Sequence, residues 1–176
     1  MAATNPVPTT SSNDRSEPRT QKITTFLSFD NNAEEAANFY VSVFKNSRVV
    51  ETTRFGDVGP GPKGTVMTVE FELDGQQFTA LNGGPHFKFS EGISLVVHCQ
   101  SQEEVDYFWT ALTADGGQES QCGWLKDKFG LSWQITPEVL LALIKDSDTA
   151  KAQRVFQAMM QMKKIDIKTL EQAASA

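Results

Sequence analysis

The sequence predicts an α+β fold: two βαβββ modules that form a cupped, half-open barrel, followed by a helical tail. Three observations predict it. The stretch Asn32-Ala-Glu-Glu-Ala-Ala-Asn-Phe-Tyr40 recurs as Ser101-Gln-Glu-Glu-Val-Asp-Tyr-Phe-Trp109, each copy following an apolar, strand-like run. An internal repeat of this kind signals two copies of one supersecondary unit, each with a sticky sheet face to cover. Each repeated helix is followed by strand-like runs punctuated by turn residues, and after Pro137 the spacing of apolar residues becomes helical.

Ile23 to Phe29 reads as a buried strand. Asn32 is placed to cap the helix that follows, with Glu35 three residues on in the arrangement that satisfies the first orphan amides. Ala36, Phe39, Tyr40, Val43 and Phe44 then recur at helical spacing, giving one inward face. Val49 to Phe55 reads as a strand, Gly56 to Gly64 as a Gly/Pro loop, and Thr65 to Leu73 as a strand of period two. Asp74-Gly75 is a strong hairpin signal, so Gln76 to Leu81 returns antiparallel.

The second half repeats the order: a strand over Ile93 to His98, a helix from a Ser101/Glu104 capping box to Leu112, and short strands around Gln118 to Trp124 and Leu131 to Thr136. Side by side, two such sheets curl under their own twist into a half-open barrel with a concave face. In the tail, Leu140, Leu141, Leu143 and Ile144 make a short helix. Asp148 caps a second helix carrying Val155, Phe156, Met159 and Met160, and Asp166 caps a last one. The expected division is a flexible tail over 1–20, the paired modules over 21–137 and a helical extension of the same domain over 138–176.

Composition narrows the class of function. With 39% hydrophobic and 22% charged residues in 176, the chain can bury an ordinary core. The net charge is −6 and the basic residues are scattered rather than striped, which argues against nucleic acid and anionic membrane as partners. No apolar run approaches the roughly 18 residues that a membrane span needs. Cys99 and Cys122 are the only cysteines, without zinc-site spacing or a secretory pattern, so reduced thiols and a cytoplasmic location are expected.

Several blocks carry a family likeness: Phe26-Leu-Ser-Phe-Asp30 with Glu34-Glu-Ala and Phe39-Tyr40, then Phe78-Thr-Ala-Leu-Asn-Gly-Gly84, Cys122-Gly-Trp-Leu-Lys-Asp-Lys-Phe-Gly-Leu-Ser-Trp-Gln-Ile135, and Met162-Lys-Lys-Ile-Asp166. Together with the paired βαβββ order they resemble the vicinal oxygen chelate superfamily, and within it the PhnB-like family labelled 3-demethylubiquinone-9 3-methyltransferase-like. The resemblance covers about residues 22–173. It implies a homodimer of glyoxalase/bleomycin-resistance fold, and in metal-dependent relatives a cation held by His and Glu side chains from the first and last strands of each module. The methyltransferase label meets a physical objection. S-adenosylmethionine is usually held at a Gly-rich turn between a parallel strand and a helix, whereas Gly83-Gly84 and the Gly56 to Gly64 loop lie between strands.

Laying the relatives' Asp-x-x-Gly-x-x-x-Glu on Asp127 to Gln134 puts Gln134 where the last glutamate would stand. The strongest ligand has become an amide. By the repeat the matching position is near Thr79, and the opening strands offer Thr24 or Thr25 and Ile93 or Ser94. Thr25 and Ser94 are taken as the ligand-facing pair, although a slip of one residue would flip either to the other face. Hard and borderline cations need carboxylate or imidazole ligands, so this neutral set points to a cup without metal or other cofactor.

His98, on a strand expected to line the cup, has the intrinsic pKa of a general base; a hydrogen-bonded histidine at a strand end is the plainer alternative. Cys122 is a candidate nucleophile because Lys126 lies nearby and a cation favours the thiolate; a structural thiol is its alternative. Trp124 is a candidate to stack on a planar ligand. Lys126 and Asp127 read as a turn ion pair, an acid/base couple or solvated charges. The favoured function is a homodimer binding a small apolar or aromatic molecule in its cup. The rivals are a metal- or His98-dependent isomerase or lyase acting beside a carbonyl, and a structural dimer.

Overall fold

The computed structural model describes residues 21–176, so the tail expected over 1–20 lies outside the described residues. Two separate four-stranded sheets are present, with strand orders β1-β4-β3-β2 and β5-β8-β7-β6. The first module comprises β1 (Thr25–Phe29), α1 (Ala33–Val43), β2 (Arg48–Arg54), β3 (Val66–Leu73) and β4 (Gln76–Asn82). The second comprises β5 (Leu95–Cys99), α2 (Gln102–Thr113), β6 (Gln118–Glu119), β7 (Trp124–Lys126) and β8 (Ser132–Pro137). In each sheet the first strand runs parallel to the last, β1 with β4 and β5 with β8, and the remaining pairs are antiparallel. Both sheets are open, and the order βαβββ occurs twice, as the repeat predicts.

Local chemistry explains most element ends. Asp74 and Gly75 take φ of 45° and 82° in the β3–β4 hairpin, the left-handed pair that a two-residue turn of matching twist requires. Ser101 Oγ accepts from Glu104 N at 3.4 Å, as the capping box predicts, while Glu104 Oε2 reaches one residue further back and accepts from Gln100 N at 2.7 Å. Asn32 behaves differently from expectation. Its side chain makes no capping bond; instead Asn82 Oδ1, arriving from the end of β4, accepts from Ala33 N at 2.9 Å. The short strands expected around Gln118 to Trp124 form a hairpin, β6 and β7 joined by a turn in which Cys122 and Gly123 take φ of 58° and 83°.

The two modules meet through the faces that carry their helices. Phe44, which caps the C-terminus of α1, stacks on Phe108 of α2 and on Trp133 of β8, with ring centroids 5.1 Å and 5.4 Å apart, and Tyr40 lies 5.6 Å from Trp133. These rings join one continuous core with Leu27, Phe71, Val97, Leu112 and Ile135. Burying aromatic area of this size dominates the energetics of such a contact. The opposite face of each sheet stays open: Phe26 is 57% exposed and Val96 45%.

The tail forms α3 (Glu138–Ile144), α4 (Thr149–Met159) and α5 (Ile167–Ser175). Asp148 accepts from Ala150 N and Lys151 N, and Asp166 from Thr169 N, as capping predicts. Leu140, Val155, Ile165 and Leu170 make a second small core. The tail docks on the second module by backbone bonds from Cys122 N to Met162 O and Gly123 N to Lys163 O, both 2.7 Å. Gln102 of α2 completes the join, donating to Ile165 O and accepting from Ile167 N. No helix among the described residues is long and apolar enough to cross a membrane.

Candidate functional site

Strand register decides which side chains share the open faces. In the second sheet Val96 faces Gln134, Gln134 faces Trp124, and His98 faces Thr136. Since side chains alternate along a strand, Trp124, Val96, His98 and Gln134 project to one side while Val97, Cys99, Trp133 and Ile135 turn into the core. Ser94, just before β5, joins the open set: its Oγ accepts a 2.8 Å bond from Gln134 Nε2. Four candidates chosen from sequence, Ser94, His98, Trp124 and Gln134, therefore stand on one face.

The first sheet offers the matching surface. Thr79 pairs with Phe26 of β1 and Glu70 of β3, and these project to the open side. Thr25 does not join them. It pairs with Phe78 and alternates with Leu27 and Phe29, all core residues, so it lies on the helix-bearing side. Matched strand to strand, Thr25–Phe29 of β1 takes the place of Leu95–Cys99 of β5, so Phe26 answers to Val96, Ser28 to His98, and Thr24 rather than Thr25 to Ser94. Of the two threonines that the opening strand offers, the register therefore puts Thr24 on the open side and Thr25 on the other, since a one-residue shift changes the face.

Cys122 stands apart from this set. It occupies the left-handed β6–β7 turn, its amide held by Met162 O and its Sγ 3.7 Å from Met160 Sδ. No base or cation accompanies those contacts, and its place is in the seat of the tail. Cys99 is fully buried, and that burial pushes its thiol up to about 12. That burial disfavours a thiolate at Cys99, since an activated thiolate needs positive charge and access.

Asp127 has a role that local sequence does not reveal. It is buried, and its Oδ2 accepts from Tyr40 Oη and Trp133 Nε1, both at 2.8 Å, while Oδ1 accepts from the amides of Phe129 and Leu131 at 2.9 Å and 3.1 Å. Burial raises its carboxyl above the ordinary range against the lowering effect of these bonds, and burial with the adjacent carboxylate raises the Tyr40 phenol well above its own. Lys126 pairs with Glu91 instead, so Lys126 and Asp127 are not a couple.

The donor set is poor for a metal. At the equivalent places on the two sheets stand Thr24, Thr79, Ser94 and Gln134, hydroxyls and an amide. Among the described residues no three His, Cys, Asp or Glu side chains gather to hold an ion. Such a set does not fit a hard or borderline divalent cation.

Comparison with known proteins places this architecture. Residues 21–136 match the family described as 3-demethylubiquinone-9 3-methyltransferase. The chain is similar to a Bacillus cereus protein described as a putative 3-demethylubiquinone-9 3-methyltransferase, PhnB protein. The two are 41% identical with a TM-score of 0.61, and the match covers 66% of this chain and 99% of the other. It also shares its fold with a protein from Pseudomonas aeruginosa, at 22% identity and a TM-score of 0.55, over 67% of this chain and 98% of that one. No curated protein matches it. The match ends just before α3, so the helical tail lies outside it. By residues 21–136, and by the paired βαβββ sheets they form, the chain belongs to the PhnB-like, 3-demethylubiquinone-9 3-methyltransferase family.

Proposed function

We propose that this protein is a metal-free binder of a small apolar or aromatic molecule, held at the open sheet faces in a cup that a second copy of the chain completes. The observation that carries the reading is the composition of those faces. Phe26, Val96 and Trp124 supply apolar and aromatic surface, Ser94 and Gln134 with the nearly buried Thr79 supply neutral hydrogen-bonding groups, and Glu70 and His98 stand on the same faces. Small-molecule sites are usually built this way, mostly apolar with a few placed polar groups. Apolar side chains also remain exposed on both sheets, with Val50 at 50% and Val96 at 45%. Surfaces of that kind mark association.

Methyl transfer, named in the family's description, is not carried over. Both strand-to-helix turns lack the glycines that cradle such a cofactor: Asp30-Asn31-Asn32 leads into α1 and Gln100-Ser101 into α2. A second reading, a His98-dependent isomerase or lyase, draws on one observation, that His98 is exposed on the same face as Gln134.

Native mass spectrometry of gently purified, untagged protein tests the first reading. The expected species is a dimer that carries or takes up an organic mass. A monomer, or a dimer holding a divalent cation, would overturn it. Turnover lost in His98→Ala would move the assignment to the second reading. In the binder, Gln134→Ala weakens affinity about 2- to 10-fold, as loss of one neutral hydrogen bond does; unchanged affinity removes Gln134 from the site.

A further inference from the structure

We propose that the seam between the two modules is a separate binding site for a small aromatic monocarboxylate. The seam holds a cavity of about 470 Å³, within the size range of small-molecule sites. Thr79, Ser94, Trp124 and Gln134 take no part in it. Its distinctive lining is three aromatic rings, Phe87, Phe89 and Phe129, set among three cations, Lys88, Lys126 and Lys128.

Two of the rings are held by packing. Phe89 and Phe129 pack edge-on against the buried ring of Phe29, at centroid distances of 5.2 Å and 6.0 Å. Phe87 is 57% exposed, yet its ring lies so close over Gly83 that a Cβ there would come within 3.0 Å of it. A planar molecule entering the seam meets Phe89 and Phe129 already held in position, which lowers the ordering cost of binding.

The cations are available. Lys88 has no ion-pair partner among the described residues. Lys126 pairs with Glu91, and Lys128 with Glu35 at 3.0 Å, but those glutamates are 65% and 60% exposed. Exposed pairs of this kind are weak and exchange readily, so an incoming carboxylate can take the place of Glu91 at Lys126. Lys128 Nζ also sits 5.2 Å and 5.1 Å from the ring centroids of Phe39 and Phe129, a cation held over aromatic faces.

Two carboxylates line the same cavity and set the charge it accepts. Asp127 is engaged by four donors and faces inward, whereas Asp30 is exposed and repels a second negative charge. The balance favours one carboxylate over a dianionic phosphate. An uncharged arene leaves the lysines without gain, and an aliphatic acid leaves the rings without a stacking partner.

Three probes separate these contributions: 2-naphthoate, 2-naphthol and cyclohexanecarboxylate, each titrated into the full-length 15N-labelled protein. Expected are saturable shifts in the amides of Phe87 to Phe89, Gly116 and Lys126 to Gly130, with naphthoate binding about tenfold more tightly than either analogue. The Lys88→Gln/Lys126→Gln double variant should lose about tenfold in affinity, while Lys63→Gln, whose partner is the exposed Asp57, should lose none. Shifts confined to Ser94, Val96 and Gln134 would overturn the proposal. So would equal binding of naphthol, undiminished binding by a double variant with the wild-type amide spectrum, or no saturable shift at millimolar naphthoate.

Discussion

Tyr40 on α1 donates a 2.8 Å hydrogen bond to Asp127 on the loop before β8, so that a helix of the first module and a turn of the second share one buried carboxylate. Trp133 Nε1 donates to the same oxygen at 2.8 Å. Asp127→Ala leaves the phenol, the indole N–H and two amides without their acceptor, and should destabilise by about 3–5 kcal/mol. Tyr40→Phe removes one donor and should cost about 1 kcal/mol. Urea unfolding measures both, and a loss below that of Tyr40→Phe in the alanine variant would show that the junction is held elsewhere.

Alkaline pH should weaken the fold before acid does at this junction. The Cys99 thiol is raised from 9.0 to about 12 and the Tyr40 phenol is raised above 10.0. Each contribution is fully present below the unfolded pKa and is lost as pH rises from there through the folded value. Stability should therefore begin to fall near pH 9, and the fall between roughly pH 8 and 10 should be shallower in Cys99→Ala. Asp127 adds nothing to acid unfolding, because its carboxyl is raised rather than lowered. Equal slopes in the two proteins would contradict the role given to Cys99.

The two thiols should separate chemically. Cys122 is half-buried in a turn and Cys99 is fully buried, so a thiol reagent should label Cys122 in the native protein and Cys99 only with unfolding. Peptide mapping after a short labelling pulse identifies the site. Comparable labelling of both would mean that β5 opens locally.

Gly123 is the tightest point of the tail's seat. Its φ is 83°, and a Cβ would stand 2.7 Å from Ile135 O, while its amide donates to Lys163 O. Gly123→Ala should cost about 2 kcal/mol or more, since strain and overlap add. Gln102→Ala, which breaks the clamp on Ile165 and Ile167, should cost about 1–2 kcal/mol. Hydrogen exchange should then rise first over α4 and α5; a uniform rise across both modules would show that the tail is inseparable from the main core.

The sequence by itself determined the repeated βαβββ order, the Asp74-Gly75 hairpin and the tail caps at Asp148 and Asp166, because each is written in local spacing or in residues that alone suit a given backbone geometry. It also set Trp133 and Gln134 on opposite faces, since period two leaves no other choice. Only tertiary structure decided the rest. The first amide of α1 is met by Asn82 instead of Asn32 because β4 ends beside that helix. Thr24 and Thr25 cannot be told apart at a strand start until Phe78 pairs with one of them. Asp127 reads as a surface turn residue until Tyr40, distant in the chain, closes over it. Contacts between such remote residues have no spacing to betray them, and they are where burial, register and the sharing of one carboxylate are settled.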